Sequence, residues 1–351
     1  MDKQSKIYVA GHSGLVGSAI IRALNAKGYS QLLTQSQSSL DLKDQAAVRE
    51  FFGKEKPEYV FLAAAKVGGI LANSTYKAEF IYDNLVIATN IIEASYRSGV
   101  KKLLNLGSSC IFPRLADQPL KESSLLTGPL ESTNEPYAIA KIAAIKMCRY
   151  YNEQYGTNYL SVMPTNLYGP GDNFDLEKSH VLPALIRKFH LAKLLSNRDY
   201  SALRTDVLKR SIGFEFHIDQ SWTDAQLEKA LASIGVRAEK VTLWGTGSPY
   251  REFLYADDLA EACVYLMQKY SASEIGEFVN IGYGSDLTIK ELATIASSTV
   301  GFPGSIQFDS SKPDGTPRKL LDSARINKLG WEPRISLADG IKREYDWYLS
   351  H

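Results

Sequence analysis

Apolar and polar positions switch between two periods along the first half of the chain, and the switching predicts strands that alternate with helices. Residues 6–10 (KIYVA) form a short apolar run that ends at Gly11. Residues 15–27 then place Ile20, Ala23 and Leu24 on one helical face and stop at Gly28. The same reading gives strands over 31–34, 59–65, 102–106 and 159–163. It gives helices over 44–54, with Val48, Phe51 and Phe52 inward, and over 75–98 and 136–155. Near-continuous apolar strands separated by helices predict a doubly wound α/β fold, a parallel sheet covered on both faces. Past residue 172 the pattern loosens. Helices are expected over 180–195, 202–210, 224–234 and 257–269. Strands are expected over 213–218 (GFEFHI), 241–244 and 277–281.

Composition narrows what such a fold would serve. Forty Lys and Arg stand against 39 Asp and Glu in 351 residues, a net charge of +1, which argues against nucleic-acid binding. Three scattered cysteines make neither a disulfide framework nor a CxxC metal pair. No metal site is expected, and a reducing, cytoplasmic setting is. The first residues are polar and the first apolar run is too short for a signal-peptide core. No apolar run approaches the roughly 18 residues of a membrane span, so no membrane partner is expected.

Two motifs point to chemistry. Gly11, Gly14 and Gly17 follow the first strand and open the first helix. Glycines there permit a tight turn, close approach of a pyrophosphate and close helix–strand packing, and the helix N-terminus offers free N–H groups. The same triplet would also suit a plain capping turn. Residues 34–39 (TQSQSS), where an acidic residue would favour NAD and an arginine NADP, are neutral and leave the choice open. Tyr137 and Lys141, four residues apart on one helix, put a phenol beside an ammonium that would lower its pKa. Ser108 follows the fourth strand, at the end where open α/β sheets bind ligands. Each has a bland reading as a surface pair or loop hydroxyl; together they are more specific.

The strings AGHSGLVGSAI, FLAAAKVGGI, LGSSCIFP, NEPYAIAKIAAIK, VMPTNLYGPGDNF and KPDGTPRKLLD carry a resemblance. The chain resembles the extended short-chain dehydrogenase/reductases, and within them the 3,5-epimerase/4-reductases that turn GDP-4-keto-6-deoxy-D-mannose into GDP-L-fucose. The likeness runs over nearly the whole chain except about 196–240. It implies a Rossmann-type cofactor domain over 1–172, with segments returning at about 250–282 and 334–351. A smaller interleaved substrate domain would take 173–249 and 283–333, with an insertion at about 196–240. It implies catalysis by Ser108, Tyr137 and Lys141 for reduction, and by Cys110 and His180 for epimerisation. The implied NADP site is the turn Gly11, His12, Ser13, Gly14, Leu15, Val16 and Gly17. To it belong Asp41, Leu42, Leu106, Gly107, Pro164, Asn166 and Leu167, with Lys141 and His180. Asn166, Lys188, Trp244, Arg251 and Asp314 would meet the GDP-sugar. A homodimer through the helices over 75–98 and 136–155 is implied as well.

Two features depart from the family pattern. Ser13 and Gln37 stand where members carry arginines for a 2′-phosphate, so NAD remains a possible cofactor beside NADP. The insertion carries alternating charges, and similar insertions occur in relatives that act on GDP-6-deoxy-heptoses. Two alternatives are therefore an epimerase or reductase of a GDP-keto-heptose and a non-catalytic NAD(P)-binding regulator.

Overall fold

The computed structural model describes residues 1–351, the side chains of 70 and 71 apart. Its first half runs β1 (Ile7–Ala10), α1 (Leu15–Ala26), β2 (Leu32–Leu33), α2 (Gln45–Glu55), β3 (Tyr59–Leu62), α3 (Ile70–Thr75) and α4 (Lys77–Arg97). It continues with β4 (Lys102–Leu106), α5 (Glu135–Tyr155), β5 (Tyr159–Pro164) and β6 (Asn166–Tyr168). The second half follows with α6 (Val181–Ser196), α7 (Tyr200–Lys209), α8 (Asp224–Ser233), β7 (Lys240–Trp244), β8 (Tyr250–Arg251), β9 (Phe253–Tyr255), α9 (Ala256–Lys269) and α10 (Ala272–Ile275). Then come β10 (Val279–Ile281), β11 (Leu287–Thr288), α11 (Ile289–Val300), β12 (Ser305–Asp309), β13 (Arg318–Lys319), α12 (Ala324–Lys328) and α13 (Leu337–Ser350).

Two compact units share this chain. The first comprises Met1–Gly171, Glu252–Ser285 and Leu320–Ile335; the second comprises Asp172–Arg251, Asp286–Lys319 and Ser336–His351. The C-terminal residues, expected above to return to the cofactor domain, lie in the second unit. There α13 buries Ile341, Tyr345 and Tyr348 and packs on α11. An amphipathic stripe states that a helix has a buried face, not which element covers it.

In the first unit the sheet is Rossmann-like, with six strands in the order β10-β5-β4-β3-β1-β2, all parallel. The two-residue period of a strand divides its core. Ile7 and Val9 face one layer with Leu24, Phe61 and Leu104 against α1 and α9; Tyr8 and Ala10 face the other with Val48, Phe52 and Ile91. Asp44 caps α2 by accepting from Ala46 and Ala47 N–H groups. Buried Lys102 donates to the carbonyls of Leu266, Met267 and Tyr270 at the end of α9, where a cation answers the unpaired carbonyls and the helix dipole. The helix expected over 75–98 forms as α4, Lys77–Arg97, and Tyr76, with φ of −104° and ψ of 44°, separates it from the short α3 before it.

The second unit gathers α6, α7, α8, α11 and α13 with a parallel pair β12–β7 and a three-stranded sheet β11-β8-β13. The strand expected over 213–218 does not form. Phe214 and Glu215 take φ of 56° and 62°, a left-handed conformation incompatible with an extended strand. A local run of alternating residues was the only support for it.

Candidate active site

The chain turns at the carboxyl ends of the first unit's strands. There β2 and β3 leave β1 on opposite sides, the reversal that opens a ligand crevice in such sheets. Gly11 has φ +81°, and a Cβ there would lie 2.8 Å from the Ala64 backbone; at Gly17 a Cβ would lie 2.0 Å from the Gly11 carbonyl oxygen. No side chain fits at either position. The Gly14 N–H donates to Gly11 O at 3.1 Å, closing the turn before α1. The N-terminal N–H groups of α1, next to His12, Ser13, Leu15 and Val16, thus form a cradle without Cβ atoms. Among the described residues His12 Nδ1 is buried with no partner. Such a cradle fits a dinucleotide pyrophosphate.

The remaining cofactor candidates lie at neighbouring strand ends. The Gly107 N–H donates to Val162 O at 2.8 Å, and a Cβ on it would collide with Met163 Cε at 1.9 Å. Pro164 ends β5, and Asn166 and Leu167 begin β6. The Asn166 amide already donates to the Glu252 carbonyl at 2.8 Å, so its Nδ2 is partly committed to the fold. Asp41 Oδ1 accepts from the Lys43 N–H, and Leu42 O accepts from Asn90; both hold the loop after β2. In that loop Ser36 bonds Ser38 and Ser39 at 2.9 and 2.8 Å. It offers hydroxyls and no guanidinium.

Ser108, Cys110, Tyr137 and Lys141 are brought together in this unit. Ser108 caps a single 3-10 turn, Ser109–Ile111, its Oγ accepting from the Cys110 N–H at 3.4 Å. Pro136 in the first turn of α5 starts the helix where an N–H would be unpaired anyway. Tyr137 and Lys141 then share a face, with the Lys141 ammonium 5.7 Å from the centre of the Tyr137 ring. Lys141 Nζ donates to the Leu106 carbonyl at 2.8 Å, which ties the helix to the end of β4. Phe80 of α4 meets Tyr137 edge-on at 6.4 Å. Neither link has a sequence signature, because each joins distant elements through one backbone atom or one ring.

The electrostatics correct one expectation. Burial pushes the Tyr137 phenol well above its ordinary value; negative charge on Cys110 adds to the rise, and a hydrogen bond from Ser108 opposes it. The phenol is therefore held protonated, not poised as phenolate. Burial lowers Lys141 to about 8, and the Cys110 charge works against that fall. The same thiol acts on both groups, which places it in their immediate neighbourhood. Cys110 itself is buried, and none of the three cysteines is in a disulfide.

The second unit carries the other candidates. His180 is the N-cap of α6. The residue is exposed as a whole, yet crowding of its ring, with the Lys319 charge second, lowers its pKa and favours neutral imidazole at pH 7. Trp244 ends β7 and is 65% exposed, too open for a core residue and suited to packing on a flat ligand. Lys312 lies over its ring at 5.5 Å. Asp314 is occupied: its carboxylate accepts from the Thr246 N–H at 2.9 Å and the Thr246 hydroxyl at 2.7 Å, fixing the loop after Trp244. Arg251 donates to the Tyr250 and Thr316 carbonyls. Lys188 is half-buried on α6 and is lowered by burial to about 8. No group of three potential metal ligands exists among the described residues, and no helix there is long and apolar enough to cross a membrane.

Comparison with known proteins adds to this geometry. Residues 7–205 and 217–282 match the NAD dependent epimerase/dehydratase family. The chain is similar to GDP-L-fucose synthase 1 of Arabidopsis thaliana, with 52% identity over 350 residues, covering 100% of this chain and 95% of that protein. Among solved structures it is similar to a GDP-6-OMe-4-keto-L-xylo-heptose reductase from C. jejuni, with a TM-score of 0.93 and 42% identity over 100% of this chain and 99% of that one. It is also similar to a GDP-L-fucose synthetase from Naegleria fowleri bound to NADP, with a TM-score of 0.78 and 26% identity over 100% of this chain and 95% of that one.

Proposed function

Because the chain belongs to the NAD dependent epimerase/dehydratase family, we propose that it converts GDP-4-keto-6-deoxy-D-mannose to GDP-L-fucose by 3,5-epimerisation and NADPH-dependent 4-reduction. The observation that carries the reading is the Cys110 thiol, buried in the turn that Ser108 caps and packed against the helix that carries Tyr137 and Lys141. A plain reductase needs a proton donor and its partner; a thiol beside them supplies a second acid/base. The 52% identity to a GDP-L-fucose synthase over the full chain supports the same substrate.

NADPH, when bound, supplies the hydride that the C4 carbon receives. The glycine turn and the α1 N-terminus would hold its pyrophosphate, and the loop over 34–39, with hydroxyls and no guanidinium, would serve its adenosine ribose. The chain's own residues do the proton work. A C4 ketone acidifies the protons on C3 and C5. Cys110 and His180 remove and return them, one acting as base on one face while the other acts as acid on the opposite face, and the roles reverse at the second carbon. Ser108 and Tyr137 donate to the C4 oxygen and stabilise the charge that gathers there. Tyr137, kept protonated by burial, gives its proton to that oxygen in the reduction, and the Lys141 ammonium steadies the resulting phenolate. Lys188 and Arg251 meet the diphosphate, and Trp244 packs on the nucleotide-sugar. Exposed Tyr82 on α4 and Tyr150 and Tyr155 on α5 support a homodimer through those helices.

Incubation of the purified protein with GDP-4-keto-6-deoxy-D-mannose and NADPH is expected to consume the reduced cofactor and yield GDP-L-fucose. NADH is expected to work with a higher KM. Full absorbance retained at the reduced-nicotinamide band would sink the reading. The 42% identity to a heptose reductase over the full chain favours one second reading, a GDP-4-keto-6-deoxy-heptose as substrate. A higher kcat/KM on the heptose in parallel assays would install it.

A further inference from the structure

Arg187 and Lys188 are consecutive on α6, and their surroundings exceed what the proposed reaction explains. Arg187 is 0% exposed. Its guanidinium donates to Asp206 Oδ1 at 3.1 Å and to the carbonyls of Phe174, Ser211 and Arg210 at 3.0, 2.6 and 2.5 Å. Asp206, Arg210 and Ser211 fall in 206–216, the stretch that the family match leaves out. Asp206 also accepts from the Tyr348 hydroxyl and from Arg210. The segment after α6 is thus bolted to that helix by a buried ion pair, not appended to it.

Lys188 meets the far end of the same segment. Its ammonium donates to the carbonyl of Ile234, the C-cap of α8, at 2.9 Å. An ammonium has three donors. Among the described residues no carboxylate pairs with it, and burial alone accounts for its lowered pKa. Two donors of a desolvated cation are left for an anion. The carbonyl that aims it sits on a rigid turn. Gly235 has φ +82°, and a Cβ there would lie 2.5 Å from Thr242 O. The Thr242 N–H donates to Gly235 O at 2.7 Å, and the Val236 N–H donates to Leu231 O at 2.9 Å.

We propose that residues 200–236 are a positioning element for the substrate's diphosphate: the Arg187–Asp206 pair clamps them to α6, and the Ile234 carbonyl aims the Lys188 ammonium. The inference rests on the reading of Lys188 as a diphosphate contact. Gly235 and Val236 then act on binding through Lys188, without touching substrate. Pre-orienting a long, flexible lysine lowers the ordering cost of binding.

The test is a double-mutant cycle read in kcat and KM. Gly235→Ala and, as the milder change, Val236→Ala are each combined with Lys188→Met. KM for the GDP-4-keto-sugar, kcat and KM for NADPH are measured in all. Gly235→Ala is expected to raise the sugar-nucleotide KM about tenfold, the scale of a lost charged hydrogen bond, with kcat and the NADPH KM retained. In the Lys188→Met background the same change is expected to add nothing, because the group it acts through is gone. If Gly235→Ala fails to unfold cooperatively, Val236→Ala carries the cycle. Equal fold-changes in both backgrounds, or a fall in kcat at constant KM, overturn the proposal and leave the substrate reading standing. An unchanged KM in Lys188→Met alone overturns the diphosphate contact together with this inference, while product formation by the wild type still decides the reaction.

Discussion

Tyr137→Phe is expected to lower kcat for reduction of the 4-keto-sugar about 10³-fold, within the range for loss of a positioned general acid. Binding of NADPH and of the GDP-sugar should persist, because phenylalanine keeps the ring that meets Phe80 edge-on and the backbone of α5 that carries Lys141. The reason for so large an effect is the state of the phenol. Burial raises its pKa, so near neutrality nearly every molecule holds the proton that the C4 oxygen needs. Stopped-flow measurement of cofactor oxidation against equilibrium binding of the cofactor separates the two effects. A loss below about tenfold would assign the proton to another donor.

The phenolate left behind needs a cation, and Lys141 sets when one is present. Its folded pKa of about 8 is depressed by burial. The ammonium is the majority form below pH 8 and is lost above it, so kcat is expected to fall along an alkaline limb centred near 8. Lys141→Arg, whose guanidinium stays charged throughout, should remove that limb whatever it does to the maximum rate. An unchanged limb in that variant would show that another group titrates there.

How much of this was readable from residues alone depended on range. The β1–α1 turn was legible because the whole motif lies within seven residues, and at Gly11 and Gly17 no side chain fits. Tyr137 and Lys141 were legible because a helix brings i and i+4 together. The sign of the Tyr137 shift was not. The ammonium is visible in the sequence, but the burial that raises the phenol comes from elements as remote as α4. Asp314 is similar: the motif marked it, while its engagement with Thr246 depends on the fold of a loop 68 residues away. Arg187 has no sequence signature because its acceptors are three carbonyls and one carboxylate, and backbone carbonyls leave no trace in composition. The expected strand over 213–218 failed for the opposite reason, a local pattern with no partner strand to pair with.

Cys110→Ser is expected to abolish exchange of the C3 and C5 protons with deuterated solvent, by about 10²–10⁴-fold for loss of an acid/base, while reduction of an already epimerised 4-ketone survives. A serine hydroxyl keeps the size and the backbone position in the turn Ser109–Ile111, so Ser108 can still cap it. It does not ionise near neutral pH, and proton removal beside the ketone therefore stops. The substitution has a second consequence that a merely structural role would not produce. The charge of Cys110 raises Lys141 against the fall that burial imposes. Removing that charge lowers Lys141 further, so the alkaline limb of the surviving reductase should move to lower pH. Mass spectrometry of the product formed in deuterated water reads the exchange, and the pH profile of cofactor oxidation reads the shift. Deuterium incorporated at the wild-type rate would strip Cys110 of its role. Loss of exchange with the limb unmoved would keep the thiol as acid/base and deny its charge any part in tuning the lysine.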